Sequence, residues 1–203
     1  MRYEIPLGDL LDGTAQWLEQ VQKPDGALAQ PDSLYGYPHA PWWGTDDLGG
    51  QQEPDSIVGN LNRLGFATPQ LSTTTRTWVQ RERTLDKIAE FDWLFMCYHL
   101  HDYFFNVDDF PDLETYQQAT VAAIIRCAEK AEAAQLGAIF SFVPRPDALL
   151  ADKIPQRLVD QALEMLLEGQ QDDGAWHDEH GLAQWFPMQT ISALVTLERF
   201  GKL

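Results

Sequence analysis

Leu166-Leu167-Glu168-Gly169-Gln170-Gln171-Asp172-Asp173-Gly174-Ala175-Trp176 joins one apolar-periodic run to the next late in the chain. Pro155 to Glu168 precedes it, with Leu158, Ala162, Met165 and Leu166 on one face; Pro187 to Phe200 follows, with Ile191, Leu194, Val195 and Phe200. Both runs have helical spacing. Gly174 permits a tight turn after a helix, and Trp176 can pack over that turn. Near the other end, Gln22-Lys23-Pro24-Asp25-Gly26-Ala27-Leu28 does the same job with Leu28 in the Trp position. Gln22-x3-Gly26-x-Leu28 and Gln171-x2-Gly174-x-Trp176 read as two copies of one unit.

The rest of the chain agrees. Leu7 to Val21, Ser56 to Leu64 (stopped by Gly65) and Asp112 to Gln135 read as helices, and Thr73 to Phe105 reads as two. No alternating strand pattern is present, apart from a short extended piece expected at Ala138–Val143. With no linker or low-complexity segment, the expectation is one all-α domain over residues 1–203. Hydrophobic content of 44% and 11% aromatics suffice for its core.

The net charge of −17 argues against nucleic acid and anionic lipid as partners, because both require Lys and Arg. No apolar run approaches a membrane span, and the first residues hold no apolar signal core. The two cysteines, Cys97 and Cys127, form neither a disulfide framework nor a zinc spacing. A cytoplasmic protein with reduced thiols and no cofactor is expected.

Chemistry concentrates in Tyr98-His99-Leu100-His101-Asp102-Tyr103-Phe104-Phe105-Asn106-Val107-Asp108-Asp109, where aromatics run into two adjacent carboxyls. Aromatic faces stabilise cations, and a carboxyl in an apolar wall retains a proton and can act as an acid. Taken singly, each ring reads as core; together they read as a cavity wall. Trp42, Trp43, Trp93, Phe105 and Tyr98 are the candidates for that wall. Asp108 or Asp109 also reads as a helix cap before Phe110-Pro111. His99 or His39 could orient the acid, and a satisfied structural histidine is the plainer role for each. Arg76, Arg81 and Arg83 read either as a solvated helix face or as a clamp for a substrate carboxylate.

Gln171-Asp172-Asp173-Gly174-Ala175-Trp176 resembles the QW repeat of terpene cyclases and protein prenyltransferases, which are α/α toroids. The resemblance implies a ring of helical hairpins around a hydrophobic cavity. Class II cyclases protonate an alkene with the third Asp of a D-x-D-D motif. Asn106-Val107-Asp108-Asp109 is similar, with Asn at the first position. This correspondence gives Asp108 the acid role and Asp109 a supporting one. By position after the first repeat turn, Glu53-Pro54-Asp55-Ser56 is the alternative, with Asp55 as acid. The resemblance further implies a single-domain class II cyclase that closes a polyprenylated aromatic acid into fused rings without metal or diphosphate loss.

Three rival readings stand beside it. Asp108-Asp109-Phe110-Pro111-Asp112 is a D-D-x-x-D, the Mg²⁺-diphosphate motif of class I prenyl enzymes, which requires Pro111 in a first helical turn. Asp55 and Asp109 could form the carboxyl pair of a sugar-cleaving toroid. A toroid can also bind lipid without catalysis.

Overall fold

The computed structural model describes residues 9, 11–29, 36–37, 51–177 and 181–203. These are overwhelmingly helical, as the periodicity predicts. In order come α1 (Thr14–Val21), α2 (Asp55–Leu64), α3 (Pro69–Glu82), α4 (Leu85–Ala89), α5 (Cys97–Phe104), α6 (Leu113–Lys130), α7 (Ala133–Leu136), α8 (Gln156–Glu168) and α9 (Phe186–Arg199). One two-residue antiparallel pair, β1 (Leu28–Ala29) with β2 (Gln51–Gln52), sets Leu28 opposite Gln52. The extended piece expected at Ala138–Val143 is instead a 3₁₀ turn over Gly137–Ser141, with Ile139 buried. A short β-branched and aromatic run cannot distinguish strand from buried helix by pattern alone.

The chain divides into two compact units, residues 1–87 with 99–116, and residues 88–98 with 117–203. In the first, α1, α2 and α3 close over Ala15, Leu18, Leu28, Val58, Leu61 and Leu71. Gly65 ends α2 in the left-handed conformation, and its N–H bonds back to Leu61 and Asn62. Thr68 then starts α3 by accepting from the Leu71 N–H, with Pro69 in the first turn. Tyr103, Phe104, Phe110 and Tyr116 stack into one aromatic group with ring centroids 5.0–5.9 Å apart. Tyr103, Phe104 and Phe110 are buried and Tyr116 is half-buried; for Tyr103 and Phe104 this is the plainer of the two readings of the run that ends at Phe105.

In the second unit, α8 packs against α7 and the Gly137–Ser141 turn around buried Leu136, Ile139, Leu158 and Leu163. Cys97 and Cys127 are free and buried there, and burial pushes both thiols up.

The two repeat turns are built from the same hydrogen bonds. Gln22 Nε2 donates to the Gly26 carbonyl at 3.0 Å, and Gln170 Nε2 to the Gly174 carbonyl at 3.0 Å. Asp25 accepts from the Ala27 N–H, and Asp173 from the Ala175 N–H. Gly26 and Gly174 both have positive φ, 95° and 83°. The partner of Gln22 is therefore Gln170, not Gln171, and both copies read Gln-x3-Gly-x-apolar. Both glutamines cap their own turn, and Gln22 Nε2 also donates to Thr75 Oγ1 on α3 at 3.3 Å. Trp176 closes the second copy by donating Nε1–H to the Leu166 carbonyl at 2.6 Å.

Helices α2 and α5 touch at Gly59, where a Cβ would lie 2.0 Å from the Asp102 carbonyl oxygen. No rotamer relieves a clash with backbone. Gly59→Ala is expected to cost about 3 kcal/mol or more, read as a lower urea midpoint at unchanged slope; an unchanged midpoint would refute this contact.

Candidate functional site

The first residue of α2, Asp55, is fully buried, yet its carboxylate is surrounded by donors. His99 Nδ1 on α5 lies 2.6 Å from Oδ1, Arg83 Nε at the end of α3 lies 2.8 Å from Oδ2, and the Ser56 N–H donates to Oδ1 at 2.9 Å. Glu53 closes the group from outside, 3.1 Å from His99 Nε2 and 2.9 Å from Arg83 Nη2. Burial pushes the Asp55 carboxyl up, but the hydrogen bond from His99 and the Arg83 guanidinium outweigh it and hold it below the ordinary range. Burial likewise disfavours the Arg83 charge, and Asp55 and Glu53 more than restore it. Arg83 is only 7% exposed, so its reading as a solvated helix face is wrong. Nothing in its sequence neighbourhood, Arg81-Glu82-Arg83-Thr84, separates it from exposed Arg81.

Glu53, Asp55 and His99 bring three potential ligand atoms within 4.8 Å of one another. The spacing is that of hydrogen bonds rather than of a coordination shell. Two ligands on a tetrahedral ion sit about 3.3 Å apart, against 2.6 Å for His99 and Asp55. Arg83 already occupies both carboxylates. The group is an ion-pair cluster.

A second network leans on the first. Ser56 Oγ–H donates to Asp102 Oδ2 at 2.7 Å, Asn60 Nδ2 to the same oxygen at 2.8 Å, and His101 Nδ1 lies 3.0 Å from Oδ1. Burial pushes Asp102 up, and these three hydrogen bonds bring it below the ordinary range. Asn106 Nδ2 donates to the Asp102 carbonyl, which ties the end of α5 to the network. Sequence reading did not single out Asp102, although its place between His101 and Tyr103 marked it as an acid inside an apolar run.

Beyond α5 lies a cleft of about 360 Å³ lined by Asn62, Phe105, Asn106, Val107, Asp108 and Asp109. All four residues of the D-x-D-D-like motif line it. Asp108 is exposed. The Asp109 side chain is 59% exposed and ion-pairs with Arg76, so Arg76 holds a carboxylate of this chain. Phe105 is half-buried and stacks on His101 at 5.4 Å. The apolar enclosure expected around the acid pair is not what surrounds it: four of the six lining side chains are polar. Neither Asp caps a helix, because α6 starts at Leu113 and the carbonyl that opens it belongs to Asp112, at φ 52°. Pro111 accordingly precedes the helix, and Asp108, Asp109 and Asp112 do not bring three oxygens together as a D-D-x-x-D metal site requires.

Trp93 and Tyr98 lie in the other unit, linked through Phe95 at 5.5 and 5.2 Å, with Trp93 48% exposed. His39, Trp42 and Trp43 lie outside the described residues. Among the described residues no helix is long and apolar enough to cross a membrane.

No protein-family model, curated protein or solved structure matches the chain.

Because the Asp55 carboxylate is held below its unfolded value, its stabilisation is present above about pH 4 and lost as pH falls through the folded value. In acid titrations followed by circular dichroism, Asp55→Asn should start less stable and lose less between about pH 4 and pH 2 than the parent. Identical slopes would contradict the pairing. Arg83→Met leaves a buried carboxylate uncompensated and should cost about 3–5 kcal/mol at neutral pH.

Proposed function

We propose that the protein is a Brønsted-acid terpene cyclase acting on a polyprenylated aromatic acid, with the Asn106–Asp109 cleft as its site. The observation that carries this reading is that the whole D-x-D-D-like motif lines one cleft, while the competing acid, Asp55, is sealed and held as a carboxylate. A proton donor must touch the alkene. Asp108 faces the cleft and Asp109 is tied to Arg76, which divides the pair into donor and fixed partner.

The reaction balances without metal or leaving group. The Asp108 O–H bond breaks, and the π pair of the terminal alkene forms the new C–H bond. A tertiary cation remains, which neighbouring alkenes quench in turn by ring closure. The last cation loses a proton to solvent water, solvent returns a proton to the Asp108 carboxylate, and the product is an isomer of the substrate. Phe105 offers a π face to the early cation. With the prenyl chain laid over Phe105 and Val107, the substrate itself supplies the apolar cover that an open cleft lacks. The α/α-toroid arrangement belongs to the same proposal, and the matching hydrogen bonds of the two repeat turns support it. A class I prenyl-diphosphate reading loses ground because its three carboxylates do not converge.

The test is incubation with a geranylgeranylated dihydroxybenzoate in EDTA, scored by mass spectrometry for an isomer of unchanged mass. Asp108→Asn should lower turnover by about 100-fold or more. Asp55→Asn, assayed below its melting temperature, should remain within about threefold of the parent. Loss of turnover in folded Asp55→Asn, with Asp108→Asn unimpaired, would move the acid to Asp55.

A further inference from the structure

The chain has two cysteines, and both lie in the second compact unit. Cys97 opens α5 and Cys127 sits in the last turn of α6; they are 0% and 1% exposed and unbridged. A single buried cysteine behaves as a small apolar residue. These two differ because their thiols are hydrogen-bonded to each other across two helices. Both sulfurs also reach one short turn. Cys97 Sγ lies 3.8 Å from the Trp93 carbonyl, and Cys127 Sγ 3.2 Å from the Phe91 carbonyl. A disulfide asks only that sulfurs already in contact close to about 2.05 Å, with their β-carbons about 3.8 Å apart.

We propose that Cys97 and Cys127 close to a disulfide that ties the start of α5 to α6, a redox switch gated by the turn over residues 90–96. The oxidant is a small-molecule disulfide such as oxidised glutathione. Cys127 gives up its proton to solvent, and its thiolate attacks one sulfur of that disulfide and releases a glutathione thiolate. Cys97, deprotonated in turn, attacks the Cys127 sulfur of the mixed disulfide and releases the second. Two protein thiols are oxidised, one small disulfide is reduced to two thiols, and the protons pass through solvent to the leaving thiolates. The order follows from the contact between the sulfurs: burial pushes both thiols up, and their mutual hydrogen bond adds to the rise at Cys97 and offsets it at Cys127.

Burial is the gate, since an oxidant reaches neither sulfur until the turn opens. Arg126 holds the turn down, donating from Nη2 to the Ile88 carbonyl at 3.0 Å and the Phe91 carbonyl at 3.1 Å. Within residues 90–96 only Leu94 is buried, and Trp93 and Phe95 are exposed. Few apolar contacts therefore oppose local opening. Once formed, the bridge closes a loop that contains all of α5, which removes entropy from the unfolded chain and stabilises the fold.

The test is incubation of the full chain with about 5 mM oxidised glutathione, alkylation of remaining thiols and peptide mapping by mass spectrometry. The expected product is the Cys97–Cys127 cross-link, two hydrogens lighter, with a higher urea midpoint than the reduced chain and full reversal by dithiothreitol. Arg126→Met, checked for unchanged helical circular dichroism, should speed closure by at least about tenfold. Sub-denaturing urea should do the same with no substitution. Cys97→Ser should stop at a stable mixed disulfide on Cys127. Free thiols that persist with the turn opened by urea, glutathione retained on both cysteines of the parent, or an oxidised chain with a lower urea midpoint would each overturn the proposal.

Discussion

A carboxylate with no exposure to water holds the first unit together. An ionised Asp buried alone would cost far more than a fold of this size can supply. Asp55 is tolerated because three elements converge on it: α2 carries it, α3 ends with Arg83 against it, and α5 presents His99. Glu53 then occupies the far sides of both Arg83 and His99. Such clusters add little net stability over an apolar core, yet breaking one member is expensive. Their effect here is geometric, since only one placement of the three helices satisfies every partner.

The cleft hangs from that cluster through covalent and hydrogen-bonded neighbours. Ser56 gives its N–H to Asp55 and its hydroxyl to Asp102, and the Asp102 carbonyl receives Asn106. Gly59 lets the α2 backbone approach α5 closely enough for this chain to form. The proposed donor therefore stands two residues beyond Asn106, which these three hydrogen bonds tie back to Asp55. In this account the sealed acid organises, and the accessible acid reacts. The separation has a physical basis, since the pairing that stabilises Asp55 as a carboxylate also removes its proton.

Much of the helical order was legible in the sequence, because 3.6-residue periodicity and stop signals are local. Gly65 ends α2 where expected, and α8 and α9 lie within a residue of their predicted bounds. The likeness of the two turns was legible too, though its register was not. Gln170 and Gln171 are adjacent, and only the bond to the Gly174 carbonyl tells which one matches Gln22. The site was less legible because burial is not a local property. Arg81 and Arg83 look alike in sequence, and Arg83 is buried by residues at a distance, Asp55 and Glu53. Asp108 and Asp109 sit beside an aromatic run, which suggested an apolar enclosure, but Tyr103 and Phe104 turn into the core and leave the acids at the cleft edge. The position after the first turn pointed to Asp55 as an acid, whereas the fold seals it and holds it as a carboxylate.

The proposed chemistry requires that the chain deliver a solvent-derived proton to carbon. The direct measurement is the mass and label position of the product formed from the geranylgeranylated dihydroxybenzoate in D₂O. An acid that exchanges with solvent places one deuterium at the protonated terminal alkene carbon, so the product should be one mass unit heavier than its counterpart from H₂O. A cyclised product without deuterium at that carbon, or substrate recovered unchanged by folded protein, would contradict it.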